Sequence, residues 1–126
     1  MIKGVIGPIA CPCCKVEMLT PRLIACVEKF VKAFGEVSAT SGYRCPKHNA
    51  SLAKRGYKAS PTSRHCHGQA LDLIVPPERI LEAQDKAKRC GFNGIGLYDW
   101  GIHVDVRPYP AFWDYRTKKP DAPLAA

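Results

Sequence analysis

The chain has 126 residues, 46% of them hydrophobic, and carries 19 lysines and arginines against 11 acidic residues for a net charge of +8. Such a length and composition fit one compact core, and no apolar run reaches the length of a bilayer-crossing segment, so a membrane partner is not expected. A basic balance suits polyanions such as nucleic acid or acidic cell-wall polymers, yet the charges are dispersed (Lys29, Lys32, Lys54, Arg55, Lys86, Lys118), as on a solvated surface.

In chain order, residues 1–19 read as an extended leading segment. Its apolar stretch is broken by Gly4, Gly7 and Pro8 and is too short for the apolar region of a secretory signal. Seven cysteines are present: Cys11, Cys13 and Cys14 are clustered, and Cys26, Cys45, Cys66 and Cys90 are scattered. They read first as reduced or disulfide-linked structural cysteines, with a metal knot that recruits Cys45 as the alternative.

Thr20-Pro21 opens a helix, with threonine as the cap and proline at the first helical position. Leu23, Ile24, Val27, Phe30, Val31 and Phe34 form its apolar stripe, and Gly35 ends it. Glu36 to Tyr43 reads as a strand that delivers Arg44 to its end. Pro46 opens a short helix to about Arg55, stopped by Gly56, and a polar loop follows to Thr62. Gln69 to Val75 reads as a buried strand, broken by Pro76-Pro77. A third helix runs from Glu78 to about Arg89 and is capped by Gly91. Phe92–Tyr98 and Gly101–Arg107 form a hairpin around Asp99-Trp100-Gly101. In the Pro- and aromatic-rich stretch from Pro108, Trp113 and Tyr115 are expected to pack back. Disorder is expected from Lys118 onward. The sum is one α+β domain over residues 1–117, a small antiparallel sheet flanked by helices.

Two segments concentrate histidine and aspartate: Ser63-Arg64-His65-Cys66-His67-Gly68-Gln69-Ala70-Leu71-Asp72, and Gly101-Ile102-His103-Val104-Asp105. Two imidazoles and one carboxylate suit a catalytic zinc with one position left open. On the last strand, alternation puts His103, Asp105 and Arg107 on one face, and a polar face in water would explain them without chemistry. Asp72 is harder to explain that way, because an aspartate on a largely apolar strand is costly unless paired or metal-bound. His65 and Asp72 lie seven residues apart, which in a straight strand is opposite faces; Gly68 lets the backbone turn between them.

The pattern Ser63-x-His65-x-x-Gly68-x-Ala70-x-Asp72, followed by His103-x-Asp105, resembles the signature of the M15 zinc peptidases. These are D-alanyl-D-alanine carboxypeptidases and peptidoglycan endopeptidases, related in fold to the hedgehog signalling domain. Ser41-Gly42-Tyr43-Arg44 with Asn49 resembles an upstream block of that family. Gly94-Ile95-Gly96-Leu97-Tyr98 and the Cys-rich leading segment resemble its small bacteriophage and prophage subfamily. The resemblance implies zinc ligands His65, Asp72 and His103, a substrate or oxyanion clamp at Arg44, and a substrate-binding or loop-bracing role for Ser63. It also implies a peptidoglycan peptide substrate, a monomer, and action at the wall after release from the cell or as part of a virion.

The chain departs from larger relatives just before the last zinc histidine, where Trp100, Gly101 and Ile102 offer no proton acceptor. Asp105 is the preferred candidate base, then Asp99, with His67 a further one. Two rivals stand beside the peptidase: a non-catalytic zinc module of the hedgehog type, and a nucleic-acid-binding Cys/His module. Scattered charge and few clustered aromatics count against the latter.

Overall fold

The computed structural model describes residues 2–56 and 63–117. The polar loop at 57–62 and the disorder expected from Lys118 lie outside these residues. Six strands, β1 (Val5–Ile6), β2 (Val37–Ser41), β3 (Ala70–Ile74), β4 (Gly94–Tyr98), β5 (Gly101–Asp105) and β6 (Ala111–Asp114), form one sheet in the order β1-β2-β3-β5-β4-β6. The four inner strands pair antiparallel. Both edges add parallel partners, β1 on β2 and β6 on β4, so the sheet is mixed at its margins. These edge strands have two and four residues, too few to show an alternation pattern in the sequence.

Helix α1 (Pro21–Phe34) starts where the Thr20-Pro21 pair predicts. The Thr20 hydroxyl accepts the Leu23 N–H at 3.3 Å, which satisfies one of the free donors of the first turn. Its stripe of Leu23, Cys26, Val27, Phe30 and Phe34 is buried. Helix α2 (Pro46–Lys54) follows β2 directly. Helix α3 (Ile80–Arg89) is preceded by a separate 3-10 turn at Pro77–Arg79, a later helical start than Glu78.

The core lies between α1, α3 and one face of the sheet. Leu23, Val27, Phe30, Ile80, Ala83 and Ala87 from the helices meet Leu71, Leu73, Ile95, Leu97, Ile102 and Val104 from the strands. Phe30 has no exposed surface and sits against the rings of Phe34 (5.1 Å between centroids) and Phe92 (6.5 Å). Each such side chain contributes about 1.5–3 kcal/mol on burial.

The opposite sheet face carries the polar residues. Directly paired residues on adjacent strands share a face. The pairs Ser41↔Asp72, Asp72↔His103, His103↔Gly96 and Gly96↔Trp113 therefore make one row across five strands. Every residue of β5 is buried, so the water-facing polar row that would have made His103 and Asp105 unremarkable is not what the fold contains.

Candidate active site

Asp72 on β3 and His103 on β5 face each other across the sheet. His65 reaches them from a 3-10 turn, Arg64–His67, and two local features aim it. The Ser63 hydroxyl caps the turn and accepts the His65 N–H at 3.2 Å. Gly68 then ends it in the left-handed region (φ 66°), where a glycine carries no steric penalty and where a Cβ would run into the Met18 carbonyl. This bend overcomes the odd seven-residue spacing.

His65 Nε2 lies 3.2 Å and His103 Nδ1 3.0 Å from Asp72 Oδ1, and the three atoms all lie within 4.8 Å of one another. The far nitrogen of each ring is held from behind. His65 Nδ1 donates to the Gly42 carbonyl at 2.7 Å, and His103 Nε2 donates to Asp105 Oδ2 at 2.7 Å. A carbonyl and a carboxylate can only accept, so these contacts fix the protons on the outer nitrogens and leave the inner lone pairs aimed at Asp72. Oriented imidazoles backed by acceptors are the arrangement of metal-bound histidines. Two nitrogens and one carboxylate oxygen fit a four-coordinate zinc with one open position.

Burial pushes the His65 imidazole down from its usual pKa and favours the neutral, ligating form. Burial also acts on His103, but the Asp105 and Asp72 carboxylates beside its two nitrogens outweigh it and raise the value; the imidazolium so favoured carries a second proton on Nδ1, which a metal ion at that nitrogen would displace. Burial alone would raise Asp72; the two histidines beside it win and hold the carboxyl far below the usual carboxylate range.

Asp105, the preferred candidate base, is placed behind His103. It has no exposed surface and sits on the side away from the converging ligand atoms. Beyond His103, its carboxylate accepts Arg107 Nε (2.9 Å), Arg107 N (3.1 Å) and an Arg107 terminal nitrogen (2.7 Å). Gly94 lies opposite, and a Cβ there would collide with the carboxylate. The carboxylate is thus wholly engaged by His103 and Arg107. Asp99, the second candidate, is exposed in the hairpin turn, takes the Thr117 N–H (2.9 Å) and hydroxyl (2.7 Å), and does not line the cleft. His67 is exposed.

Arg44 does line the cleft over the ligand set, in a cavity of about 1120 Å³. One terminal nitrogen donates to the Ser63 hydroxyl at 3.3 Å, while its buried Nε has no hydrogen-bond partner among the described residues. Ser63 is thus engaged twice, by Arg44 and by the His65 N–H, as a brace of the ligand turn.

Two participants were missed in the sequence. Tyr98, at the end of β4, lines the cleft and accepts Trp113 Nε1 at 2.8 Å; burial raises its pKa, so the hydroxyl stays protonated. Trp113 lies 5.1 Å from the His103 ring, against Gly96, where a Cβ would enter the indole. The alternating Gly94 and Gly96 were the available signal, because they leave space on one face for Asp105 and Trp113.

Residues 15–112 match the family model Peptidase_M15_2, described as peptidoglycan L,D-endopeptidase MepK. The chain belongs to this family. The matched stretch of this M15 chain holds the three converging side chains, Arg44, Tyr98 and Asp105. Among solved structures it is similar to the L-Ala D-Glu endopeptidase ChiX of Serratia marcescens. Identity is 16%, over 71% of this chain and 80% of that one, with a TM-score of 0.57, which is a likeness of fold. No curated protein sequence matches it.

Proposed function

We propose that this M15 peptidase hydrolyses peptide bonds inside peptidoglycan peptides, with one zinc ion held by His65, Asp72 and His103. The observation that carries the reading is the convergence of those three atoms within 4.8 Å at the cleft, with an acceptor behind each imidazole. Zinc bound there would supply a Lewis acid and a water whose pKa is lowered to about 7.

The chain's own residues then have separate tasks. Asp105 keeps the His103 ring in register. Arg44, with an unpartnered Nε, suits a substrate carboxylate or a developing oxyanion, for which a planar cation is well shaped. The Tyr98 hydroxyl offers a second donor. Asp72 is the sole carboxylate among the described cleft-lining residues. That one feature also favours a second reading, a zinc module without catalysis.

The cleft runs from Thr40 and Ser41 on β2 to Trp113 on β6, with the ligand set between them. Room on both sides of the set suits cleavage within a peptide, an endopeptidase rather than a carboxypeptidase. Arg44, Arg64 and Arg107 in its wall suit acidic stem peptides. Delivery to the wall by release from the cell, or on a virion, rests on the resemblance to the bacteriophage-type subfamily alone.

Digestion of purified peptidoglycan, with mass analysis of the products, tests the reading. Internal stem-peptide or cross-bridge cleavage by the zinc-loaded wild type, absent in His65→Ala, is expected. Release of terminal D-alanine alone would replace the endopeptidase by a carboxypeptidase. Full zinc occupancy with no product would establish the non-catalytic module.

A further inference from the structure

A second group of potential ligands sits at the start of the chain, beside the cleft and separate from its three converging atoms. Cys11, Cys14 and Cys45 bring their sulfurs within 4.8 Å of one another. Cys13 lies on the same loop, between Cys11 and Cys14. Cys11 has no exposed surface. All four are free thiols here.

The backbone around them is built toward sulfur. The Cys45 N–H donates to Cys11 Sγ at 3.4 Å, and the His48 N–H donates to Cys45 Sγ at 3.5 Å. The Cys11-to-Val16 loop closes on itself through Lys15 N–H to Cys11 O and Cys11 N–H to Val16 O, both 2.8 Å. Its closing residue, Lys15, has φ 64° and is the sole non-glycine residue at positive φ among those described. This tight C-x-x-C loop faces Cys45, the residue that caps α2. A disulfide would take two of the clustered sulfurs and leave the others in close contact.

We propose that Cys11, Cys13, Cys14 and Cys45 hold a second zinc ion, a closed structural site of four thiolates. Each thiol releases a proton to solvent as its sulfur–zinc bond forms. At a Zn–S length of about 2.3 Å, tetrahedral sulfurs lie about 3.8 Å apart, so Cys11, Cys14 and Cys45 need only a small contraction. The ion ties the leading segment to the junction of β2 and α2, one residue from Arg44. Three of its ligands precede residue 15, where the family match begins. The site is independent of the peptidase reading.

The test is metal analysis of full-length protein purified under reducing conditions. Two zinc ions per chain are expected in the wild type, one in His65→Ala and one in Cys45→Ser. Cobalt substitution adds a readout of ligand type: sulfur-to-cobalt charge-transfer absorption is expected in wild type and His65→Ala, and lost in Cys45→Ser. Should Cys45→Ser not fold, the wild type alone decides, because Cys11, Cys13, Cys14 and Cys45 should resist alkylation until a chelator is added. A wild type with a single zinc that His65→Ala removes overturns the proposal. So does a Cys45 disulfide in freshly reduced protein, or alkylation of Cys13 and Cys14 in the zinc-loaded protein at the rate of an unfolded chain. Failure of peptidoglycan digestion changes none of these readouts.

Discussion

Replacing Asp105 with asparagine separates an orienting carboxylate from a proton carrier. Asp105 is buried and accepts from His103 and three times from Arg107. Asparagine keeps the shape but turns one oxygen into a donor, so either Arg107 N and Nε, or His103 Nε2 together with an Arg107 terminal nitrogen, face another N–H. Breaking a buried charge pair costs about 3–5 kcal/mol. The Arg107 side chain keeps 17% of its surface in water, which puts the expected loss near the lower end, about 3 kcal/mol. In a domain of this size that is a fall in melting temperature of roughly 10 °C. Losing the acceptor behind a zinc-ligating histidine typically lowers metal affinity about 10–100-fold. Chelator competition measures the affinity, thermal denaturation the stability, and peptide turnover at saturating zinc the chemistry; turnover is expected to stay within about tenfold of wild type, well short of a lost general base. The reasoning is refuted if Asp105→Asn binds zinc and melts like the wild type while turnover falls by about 10²–10⁴-fold, the signature of a lost general base.

Other substitutions probe the same architecture. Arg44→Lys keeps the charge but not the planar fork; zinc content should be unchanged while kcat/KM on peptidoglycan peptides falls at least tenfold, and equal kinetics would remove Arg44 from the site. Gly96→Ala drives a methyl group into the Trp113 indole and should destabilise by about 1–3 kcal/mol. Tryptophan fluorescence should shift with it, and an unshifted spectrum would contradict the packing. Thr20→Ala removes the α1 cap and should cost about 1 kcal/mol in denaturant titration, with turnover at 25 °C unchanged because the cap lies outside the cleft.

Local chemistry made part of this fold readable from the sequence. Thr20, Pro21 and Gly35 bracket α1, and its stripe is long enough to show its period. Asp72 stood out because an aspartate on an apolar strand calls for a partner. What escaped depends on contacts between distant segments. Strand β6 follows Pro108 and Pro110, has four residues, and exists because its backbone pairs with β4. Alternation puts His103 and Asp105 on one face, but cannot say which imidazole nitrogen meets Asp105, and that detail decides between an orienter and a base. Tyr98 reads as the end of a strand until Trp113 is folded onto it.

The row Ser41–Asp72–His103–Gly96–Trp113 has a consequence for how the protein matures. The β4–β5 hairpin joins His103 to Gly96 locally, whereas Asp72 comes from about thirty residues away through β3. A strand that docks one residue out of register swaps its faces, offering Leu71 or Leu73 to His103 instead of a carboxylate. Such a chain would have most of its sheet hydrogen bonds and two stranded imidazoles. With zinc held as proposed, its uptake at His65, Asp72 and His103 would be a proofreading signal, reporting which molecules have closed the sheet in the right frame.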